Sequence, residues 1–450
     1  MDCTRDSSTM TTKLSLITEV ARGDKKAKIN NAVYLLDVPN LKECFDLLKR
    51  NKASGIDGVS VEEYERDLDG NLERLVASMK RQAYKPQPVR RVYIPKANGK
   101  LRPLGIPSVE DKVVQIGIAR ILNAIYEVDF LEVSYGFRPM RSCHQALERL
   151  DQIIMTKHIN HVIDADIKGF FDNVNHAWMM KFLGHRISDP NLLRLIGRFL
   201  RNGYMDEGML FAVDKGTPQG GIISPILANV YLHYVLDLWF EHRMKAQCKG
   251  VAEMVRYADD FVICVQYKED ATLIHEQLRD RIEGFGLELA EDKTRIIGFG
   301  RYSVQNAMSK DERPEVFNFL GFTHYAGKSK KGNFLLGRMT ERKKMYAKLK
   351  EMKLWLVKIK NKTKVKDWWN LLKAKLSGHY RYYGVSGNTR SLKAFHHHVV
   401  SLVYKWLNRR SHMKSFSWES FKIYINRHPL PTPRVYHNFY VNFGCRRECY

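Results

Sequence analysis

The clearest hydrophobic periodicity lies in the C-terminal third of the chain. Apolar residues recur there at spacings of three and four, which places each set on one face of a helix. Lysines fill the intervening positions of the first set, which therefore predicts an amphipathic helix with a basic outer face. Three helices of this kind can bury one another as a bundle. The three apolar stripes are Met345, Leu349, Met352, Leu356 and Ile359; Trp369, Leu372, Leu376, Tyr380 and Tyr383; and Leu392, Phe395, Val399, Leu402 and Trp406.

Two segments in the middle of the chain set acidic residues among strand-forming residues. Residues 255–265 place Asp259 and Asp260 between β-branched and aromatic residues, which predicts two strands joined by a tight turn. Residues 161–172 contain a second apolar strand, and Asp166 lies near its end. A turn alone could account for adjacent aspartates. Acids on two separate strands, however, are also what two-metal phosphoryl transfer requires, and Mg²⁺ prefers such hard oxygen ligands.

Positive charge is concentrated at the C-terminal end of the chain. Residues 321–450 hold 29 Lys+Arg and 5 Asp+Glu, whereas the formal net charge of the whole chain is +25. Lysine and arginine displace counterions from phosphates, so this region is typical of a nucleic-acid-binding domain. A solvated surface is the alternative, but aromatic residues interleave with the charges at 368–369, 380–383 and 404–406. The length of 450 residues favours about three domains.

Cysteine and histidine patterns do not predict a metal or disulfide site. The seven cysteines are scattered and odd in number, and we expect Cys445 and Cys449 to be free thiols. The consecutive histidines at 396–398 point in different directions on a helix, which favours structural or RNA-facing roles. The richest apolar run, residues 221–240, is interrupted by polar residues and a proline, and no N-terminal apolar segment follows a basic start. We therefore expect a soluble cytoplasmic protein without membrane contact.

Eight short segments follow one another along more than half of the chain. They are Arg91–Lys96, Gly99–Pro107, Ser134–Pro139, Asp166–Asp172, Gly216–Gly221 followed by Ser224–Pro225, Tyr257–Asp260, Gly286–Lys293 and Phe319–Phe322. Together they resemble, in order, the motifs of bacterial group II intron reverse transcriptase/maturase proteins, and a chance match of all eight is very improbable.

The resemblance implies an α+β fold of the right-hand polymerase type, with fingers, a palm built on an antiparallel sheet, and a helical thumb. It divides the chain into an N-terminal extension (1–60), fingers (61–160), a palm (161–325) and a basic helical thumb or maturase (X) domain (335–450), with the reverse transcriptase core at 86–325. We expect the chain to lack the zinc-binding homing endonuclease of longer family members.

The same resemblance implies a metal site. Asp166, Asp259 and Asp260 match the catalytic acids, and the carbonyl of Ile167 matches an additional ligand. They would hold two Mg²⁺ ions, for which Mn²⁺ is a possible substitute. Two further acids, Asp164 and Asp172, are left out, because a strand alternates its side chains and flanking acids can instead orient a loop or cap a helix.

Nucleotide and template residues follow from the same match. Lys96 and Arg102 would neutralise the triphosphate of the incoming nucleotide, Phe171 would exclude a ribose 2′-hydroxyl, Gln219 would contact the sugar, and Lys293 would lie near the nucleotide or primer. Each has a plainer interpretation as a hairpin, core or loop residue. The candidates for template and RNA binding are Arg138, Arg141, Lys343, Lys344, Lys348 and Lys350.

The predicted function is therefore that of an RNA-directed DNA polymerase that extends a DNA primer on an RNA template with dNTPs. The resemblance also implies a splicing maturase that binds the parent group II intron RNA. Three alternatives stay open: a non-catalytic RNA-binding maturase, a domesticated reverse transcriptase in DNA repair or phage defence, and a template-independent or DNA-templated polymerase. The oligomeric state is not predicted.

Overall fold

The computed structural model describes residues 10–95, 101–217, 220–309, 311–329, 331–410, 413 and 415–440. The chain forms two compact units. Unit 1 comprises Met1–Cys143, Ala165–Phe261 and Thr272–Arg295. Unit 2 comprises His144–Asp164, Val262–Ala271 and Ile296–Tyr450.

Both units contain helices. They are α1 (Met10–Gly23), α2 (Val38–Asp46), α3 (Val61–Glu65), α4 (Leu68–Lys80), α5 (Val109–Tyr126), α6 (Cys143–Thr156), α7 (Phe170–Asn173), α8 (His176–Leu183), α9 (Pro190–Leu200), α10 (Ser224–Leu232), α11 (Lys245–Gln247), α12 (Lys268–Glu283), α13 (Ser303–Ser309), α14 (Arg342–Ile359), α15 (Val365–Tyr383), α16 (Thr389–Leu407) and α17 (Trp418–Arg427). A short 3₁₀ segment spans Ala32–Leu35, and π-helical segments span His233–Asp237 and Phe240–Met244.

The strands form three sheets. They are β1 (Val89–Pro95), β2 (Leu101–Ile106), β3 (His161–Asp166), β4 (Tyr204–Asp206), β5 (Met209–Phe211), β6 (Ala252–Tyr257), β7 (Asp260–Val265), β8 (Arg295–Gly298), β9 (Val316–Phe319), β10 (Phe322–Lys328) and β11 (Phe334–Thr340). The strand orders are β2-β1-β4-β5, β6-β7-β3-β8 and β11-β10-β9. The mixture of helices and antiparallel pairs confirms the predicted α+β class.

Local signals explain where two helices of unit 1 begin. Ser60 and Glu63 form a capping box at the start of α3, and the Ser108 side chain accepts a hydrogen bond from the Asp111 N–H at the start of α5. Helix α5 is apolar on most of its surface and is correspondingly buried along its length. In the adjoining hairpin β1 and β2 are antiparallel, and Ile94 lies opposite Arg102.

Unit 2 contains the predicted helical bundle, with one change of phase. Helix α15 buries all five residues of its predicted stripe, and α16 buries the first three of its own. Helix α14 buries Met352 and Leu356, whereas the other three residues of its stripe are half-buried. Near the end of α16, however, Val403 and Leu407 are buried, whereas Leu402 and Trp406 are half-buried. The helical repeat of 3.6 residues shifts the buried face gradually relative to a strict three-and-four pattern. Helix α17 was not predicted.

The remaining sequence-based expectations have mixed outcomes. Cys44, Cys143, Cys248 and Cys264 form no disulfide bond, whereas Cys445 and Cys449 lie outside the described residues. No helix in the described ranges has both the length and the apolar character needed to cross a membrane. The domain boundaries proposed for extension, fingers, palm and thumb stay predictions.

Candidate active site

The acidic turn, defined here as residues 257–260, lies at the junction of two strands. β6 ends at Tyr257 and β7 begins at Asp260, which confirms the predicted hairpin. Ala258 adopts a φ of +58°, in the left-handed region that side chains rarely adopt. Such a conformation costs on the order of 1 kcal/mol and persists only where its surroundings hold it. The turn leaves Asp259 and Asp260 half-buried.

A second acid, Asp166, lies at the end of β3. Its main-chain carbonyl accepts a hydrogen bond from the Ala290 N–H at 2.8 Å, and the Lys168 N–H donates to the Glu288 carbonyl at 2.8 Å. Ile167 lies between these bonds and is 2% exposed. Carbonyls alternate in direction along an extended chain, so that of Ile167 points away from the 288–290 segment. This direction is compatible with the predicted role of Ile167 as a main-chain ligand.

The charges around the two acids interact with one another. Burial raises the pKa of Asp259, and the negative charge of Asp166 raises it further, whereas the Arg102 guanidinium opposes the rise. The Lys293 ammonium donates a hydrogen bond to the Asp166 carboxylate, and this bond raises the pKa of Lys293. Asp259 contributes to the same rise. Arg102, Asp166 and Lys293 therefore all lie within electrostatic range of Asp259.

The donor set at this position suits a divalent cation. Asp166 and Asp259 supply carboxylate oxygens, and their mutual repulsion is the kind that a bound Mg²⁺ relieves. Lys293 already neutralises Asp166 in part, so a cation would compete with that ammonium. Within the described ranges, no three His, Cys, Asp or Glu side chains are grouped as a metal site. The participation of Asp260 stays a prediction.

A segment beside α7 brings the predicted sugar-discriminating residue to a defined position. Phe170 is 1% exposed and belongs to the core, whereas Phe171 is half-buried. The Thr217 N–H donates to the Phe171 carbonyl at 2.7 Å. Gly216 has a φ of +90°, and a Cβ there would lie 2.8 Å from the Asp172 carbonyl oxygen, so only glycine fits.

Two predicted nucleotide ligands, Lys96 and Gln219, lie outside the described residues.

Arg138 occupies a different environment from the one predicted. Its side chain is almost fully buried, forms a two-pronged contact with Glu127, and donates to the carbonyls of Leu131 and Ser134. A guanidinium used in this way faces the protein, so we keep no template-binding role for it. Arg141 is partly exposed and pairs with Glu132, and its predicted role stays open.

The predicted basic face of α14 is exposed. Lys343, Lys344, Lys348 and Lys350 are all exposed, and Lys348 pairs with Glu351 at 2.7 Å. The periodicity of the sequence therefore identified the outer face of this helix correctly. Contact of these lysines with RNA stays a prediction.

The sequence-based interpretation missed a buried polar cluster next to the acidic turn. Arg256 and Asp237 form an ion pair in which both side chains are 0% exposed. Asn229 and Ser134 complete the cluster. A signal was present, because an arginine in an apolar strand and an aspartate in an apolar run are both costly unless they are paired. The interruptions of the 221–240 run were noted in the sequence but were not assigned partners.

Comparison with known proteins gives a consistent result. A family model described as "Reverse transcriptase (RNA-dependent DNA polymerase)" matches residues 94–324, just over half of the chain. Group II intron-encoded protein LtrA of Lactococcus lactis subsp. cremoris is 34% identical over 58% of this chain. Protein YkfC of Escherichia coli (strain K12) is 36% identical over 61% of this chain and 81% of its own length.

Another relative also carries an intron name, and the matches differ in how much of each protein they cover. An uncharacterized 91 kDa protein in the cob intron of Schizosaccharomyces pombe is 36% identical over 48% of this chain and 25% of its own length. The match to the Lactococcus protein spans 53% of that relative, so the chain covers about half of its length.

Proposed function

Because the chain belongs to the reverse transcriptase family, we propose that it is an RNA-directed DNA polymerase that extends a DNA primer 3′-hydroxyl on an RNA template with dNTPs. The observation that carries this proposal is the electrostatic coupling of Asp166, at the end of β3, and Asp259, in the turn between β6 and β7. A protein that only binds RNA has no need to bring two carboxylates together at a cost in repulsion.

The proposed chemistry divides roles among residues of unit 1. Asp166 and Asp259, with Asp260 and the Ile167 carbonyl, would hold two Mg²⁺ ions, or Mn²⁺ in their place. Bound there, the ions would lower the pKa of the primer hydroxyl and neutralise charge on the triphosphate. The proposal for Asp166 is supported by its proximity to Asp259, because the negative charge of Asp166 contributes to the raised pKa of Asp259.

Residues around the acids would position the nucleotide. Arg102 already acts on the charge of Asp259, which supports a role beside the triphosphate, where its fork can contact two phosphate oxygens. Lys96 and Gln219 would add a charge and a sugar contact. The half-buried ring of Phe171 would pack against the sugar and exclude a 2′-hydroxyl. Most of the rate enhancement would then come from positioning and electrostatics.

A second proposed activity is binding of the parent group II intron RNA as a splicing maturase. It is supported by the exposed lysines of α14 and by relatives named as intron-encoded or intron proteins. In this proposal residues 1–60 form an extension, 61–160 the fingers, 161–325 the palm and 335–450 the thumb.

Primer extension tests the first proposal directly. The native chain and Asp259→Asn are compared on an RNA template with a DNA primer, Mg²⁺ and dNTPs. We expect extension by the native chain alone, with similar RNA affinity for both proteins. If neither protein extends the primer although both bind RNA tightly, the non-catalytic maturase is the better description.

A further inference from the structure

The cluster beneath the acidic turn is centred on Arg256, which precedes the turn by one residue. Its Nε donates to Asp237 Oδ1 at 2.7 Å, and its Nη2 donates to Asp237 Oδ2 at 2.5 Å. Nη2 also donates to Ser134 Oγ at 2.7 Å. Nη1 donates to Asn229 Oδ1 at 3.2 Å and to the Ala258 carbonyl at 2.9 Å. A guanidinium has five N–H bonds, and each of them has an acceptor here.

One of these bonds reaches the acidic turn itself. The Ala258 carbonyl belongs to the residue in the left-handed conformation and immediately precedes Asp259. The other acceptors come from α10, from the π-helical segment that follows it, and from the 133–138 segment. Arg256 therefore joins the turn to the continuous helical stretch 224–237 and to the 133–138 segment.

The main chain reinforces the same arrangement. The Arg256 N–H donates to the Val133 carbonyl at 2.7 Å, and the Tyr135 N–H donates to the Arg256 carbonyl at 2.9 Å. A Cβ on Gly136 would lie 2.3 Å from the Ala258 nitrogen, so the two backbones are packed together. Asn229 Nδ2 donates to the Gly136 carbonyl at 2.7 Å, which ties this close approach to the cluster.

We propose that Arg256 is a positioning residue for the reaction: its buried guanidinium, held by Asp237, Asn229 and Ser134, fixes the acidic turn so that Asp259 meets Asp166 at the cation site. This inference rests on the polymerase function proposed above. Burial of a charge without compensation is costly, so the cluster holds one arrangement in which every donor has a partner. Reacting groups must be held to about 0.5 Å, which gives such an anchor a direct effect on rate.

The test compares Arg256→Lys with a matched control, Arg186→Lys. Arg186 is also a buried arginine of unit 1, paired with Asp129 at 2.9 Å and donating to the carbonyls of Ala21, Asp24 and Ala27. Lysine keeps the positive charge in both variants, but its single ammonium cannot reach all of the acceptors that the arginine guanidinium contacts. Both substitutions should therefore lower Tm to a similar extent.

Two readouts separate positioning from general stability. The first is a binding measurement: the rise in Tm of each protein on addition of Mn²⁺ alone. The second is primer-extension kinetics, which give kcat, KM for dNTP and the Mg²⁺ midpoint, the Mg²⁺ concentration for half-maximal extension. For Arg256→Lys we expect a rise in the Mg²⁺ midpoint of about tenfold, a fall in kcat of about 10²-fold and a KM within threefold of native. Its Mn²⁺-induced rise in Tm should be smaller than that of the native chain. Arg186→Lys should match the native chain in all of these quantities.

A milder variant covers the case in which Arg256→Lys does not fold. Ser134→Ala removes one acceptor and should raise the Mg²⁺ midpoint by about threefold, since a single hydrogen bond to a charged group is lost. If the folded Arg256→Lys or Ser134→Ala protein matches Arg186→Lys in midpoint and kcat, the positioning role is overturned. Failure of the native chain to extend any primer would instead overturn the proposed polymerase function.

Discussion

The aspartates of the acidic turn in unit 1 are half-buried, and the buried Arg256 side chain donates a hydrogen bond to the turn. The basic face of α14 in unit 2, in contrast, is exposed along the helix. In the turn, the Ala258 carbonyl accepts a hydrogen bond from the Arg256 guanidinium, and the backbone of Ala258 packs against that of Gly136. These contacts define one position for Asp259. On α14, the lysines project into solvent, and among them Lys348 pairs with a neighbouring glutamate. The two regions carry opposite charge and differ in how firmly each charge is held.

This difference reflects what each proposed task demands. Transfer of a phosphoryl group depends on the positions of a few atoms, so a displacement of about 1 Å at a reacting group can cost about 10²-fold in rate. Binding of a polyanion depends on the number of neutralised phosphates, and each contact contributes separately. We therefore expect single substitutions to abolish activity in the turn and to act gradually and additively on the helix.

Asp259→Asn is the most severe test of the turn. Removal of the carboxylate charge should lower the rate of primer extension by about 10³-fold or more, since groups that act as one catalytic unit fail together. RNA affinity, measured by filter binding, should change by less than about threefold, because the basic helix is untouched. A variant that still extends primers at the native rate would remove Asp259 from the metal site.

Phe171→Ala sharpens the comparison within unit 1. Loss of the half-buried ring should reduce discrimination against ribonucleotides by about tenfold or more, since steric exclusion of a hydroxyl depends on a filled pocket. The measurement is the ratio of kcat/KM for a dNTP to that for the matching ribonucleotide. Phe170→Leu is the control, because Phe170 is a core residue and should change stability without changing the ratio.

Replacement of Lys343, Lys344 and Lys350 by glutamine tests whether the basic face of α14 contacts RNA. If each contacts a phosphate, the slope of log affinity against log salt should fall by about one unit per residue. Lys348 is left intact because Glu351 already pairs with it. A triple variant at Lys80, Lys85 and Lys181, which are exposed lysines of unit 1, makes the same change in net charge and should leave the slope nearly unaltered. Equal slopes for the two triple variants would indicate a solvated surface.

The smallest expected effect concerns stability and pH. Burial raises the pKa of Asp259 above its ordinary value of 3.8, so its contribution to stability is complete below that value and is lost as pH rises through the raised pKa. At pH 7.5 the ionised carboxylate therefore destabilises the fold, and Asp259→Asn should raise Tm slightly, by the equivalent of roughly 1 kcal/mol or less. The difference in Tm should shrink as pH falls toward 4. A lower Tm for the variant at pH 7.5 would contradict this cause of the shift.

Some elements of the structure could be predicted because their signals are local. The strand–turn–strand at 255–265 and the buried stripe of α15 follow from spacing along a few residues or a few helical turns. The exposed face of α14 follows for the same reason. At the end of α16 the stripe was displaced by one residue, because small differences in helical phase accumulate over five turns.

Other features depended on partners distant in the sequence. The burial of Arg138 depends on Glu127 and two carbonyls of the preceding loop, which no periodicity reveals. The acceptors of the Arg256 guanidinium lie as far as 122 residues away along the chain. An arginine in an apolar strand signalled that a partner must exist, but the signal did not identify it.

The sequence by itself therefore determined the family, the α+β class and the amphipathic helices, since these depend on residue type, order and local spacing. Only the tertiary structure decided that Asp166 is paired with Lys293, that Arg138 faces inward, and that Arg256 anchors the acidic turn. The physical reason is that buried charges require partners at hydrogen-bonding distance, and only the folded chain brings remote segments that close.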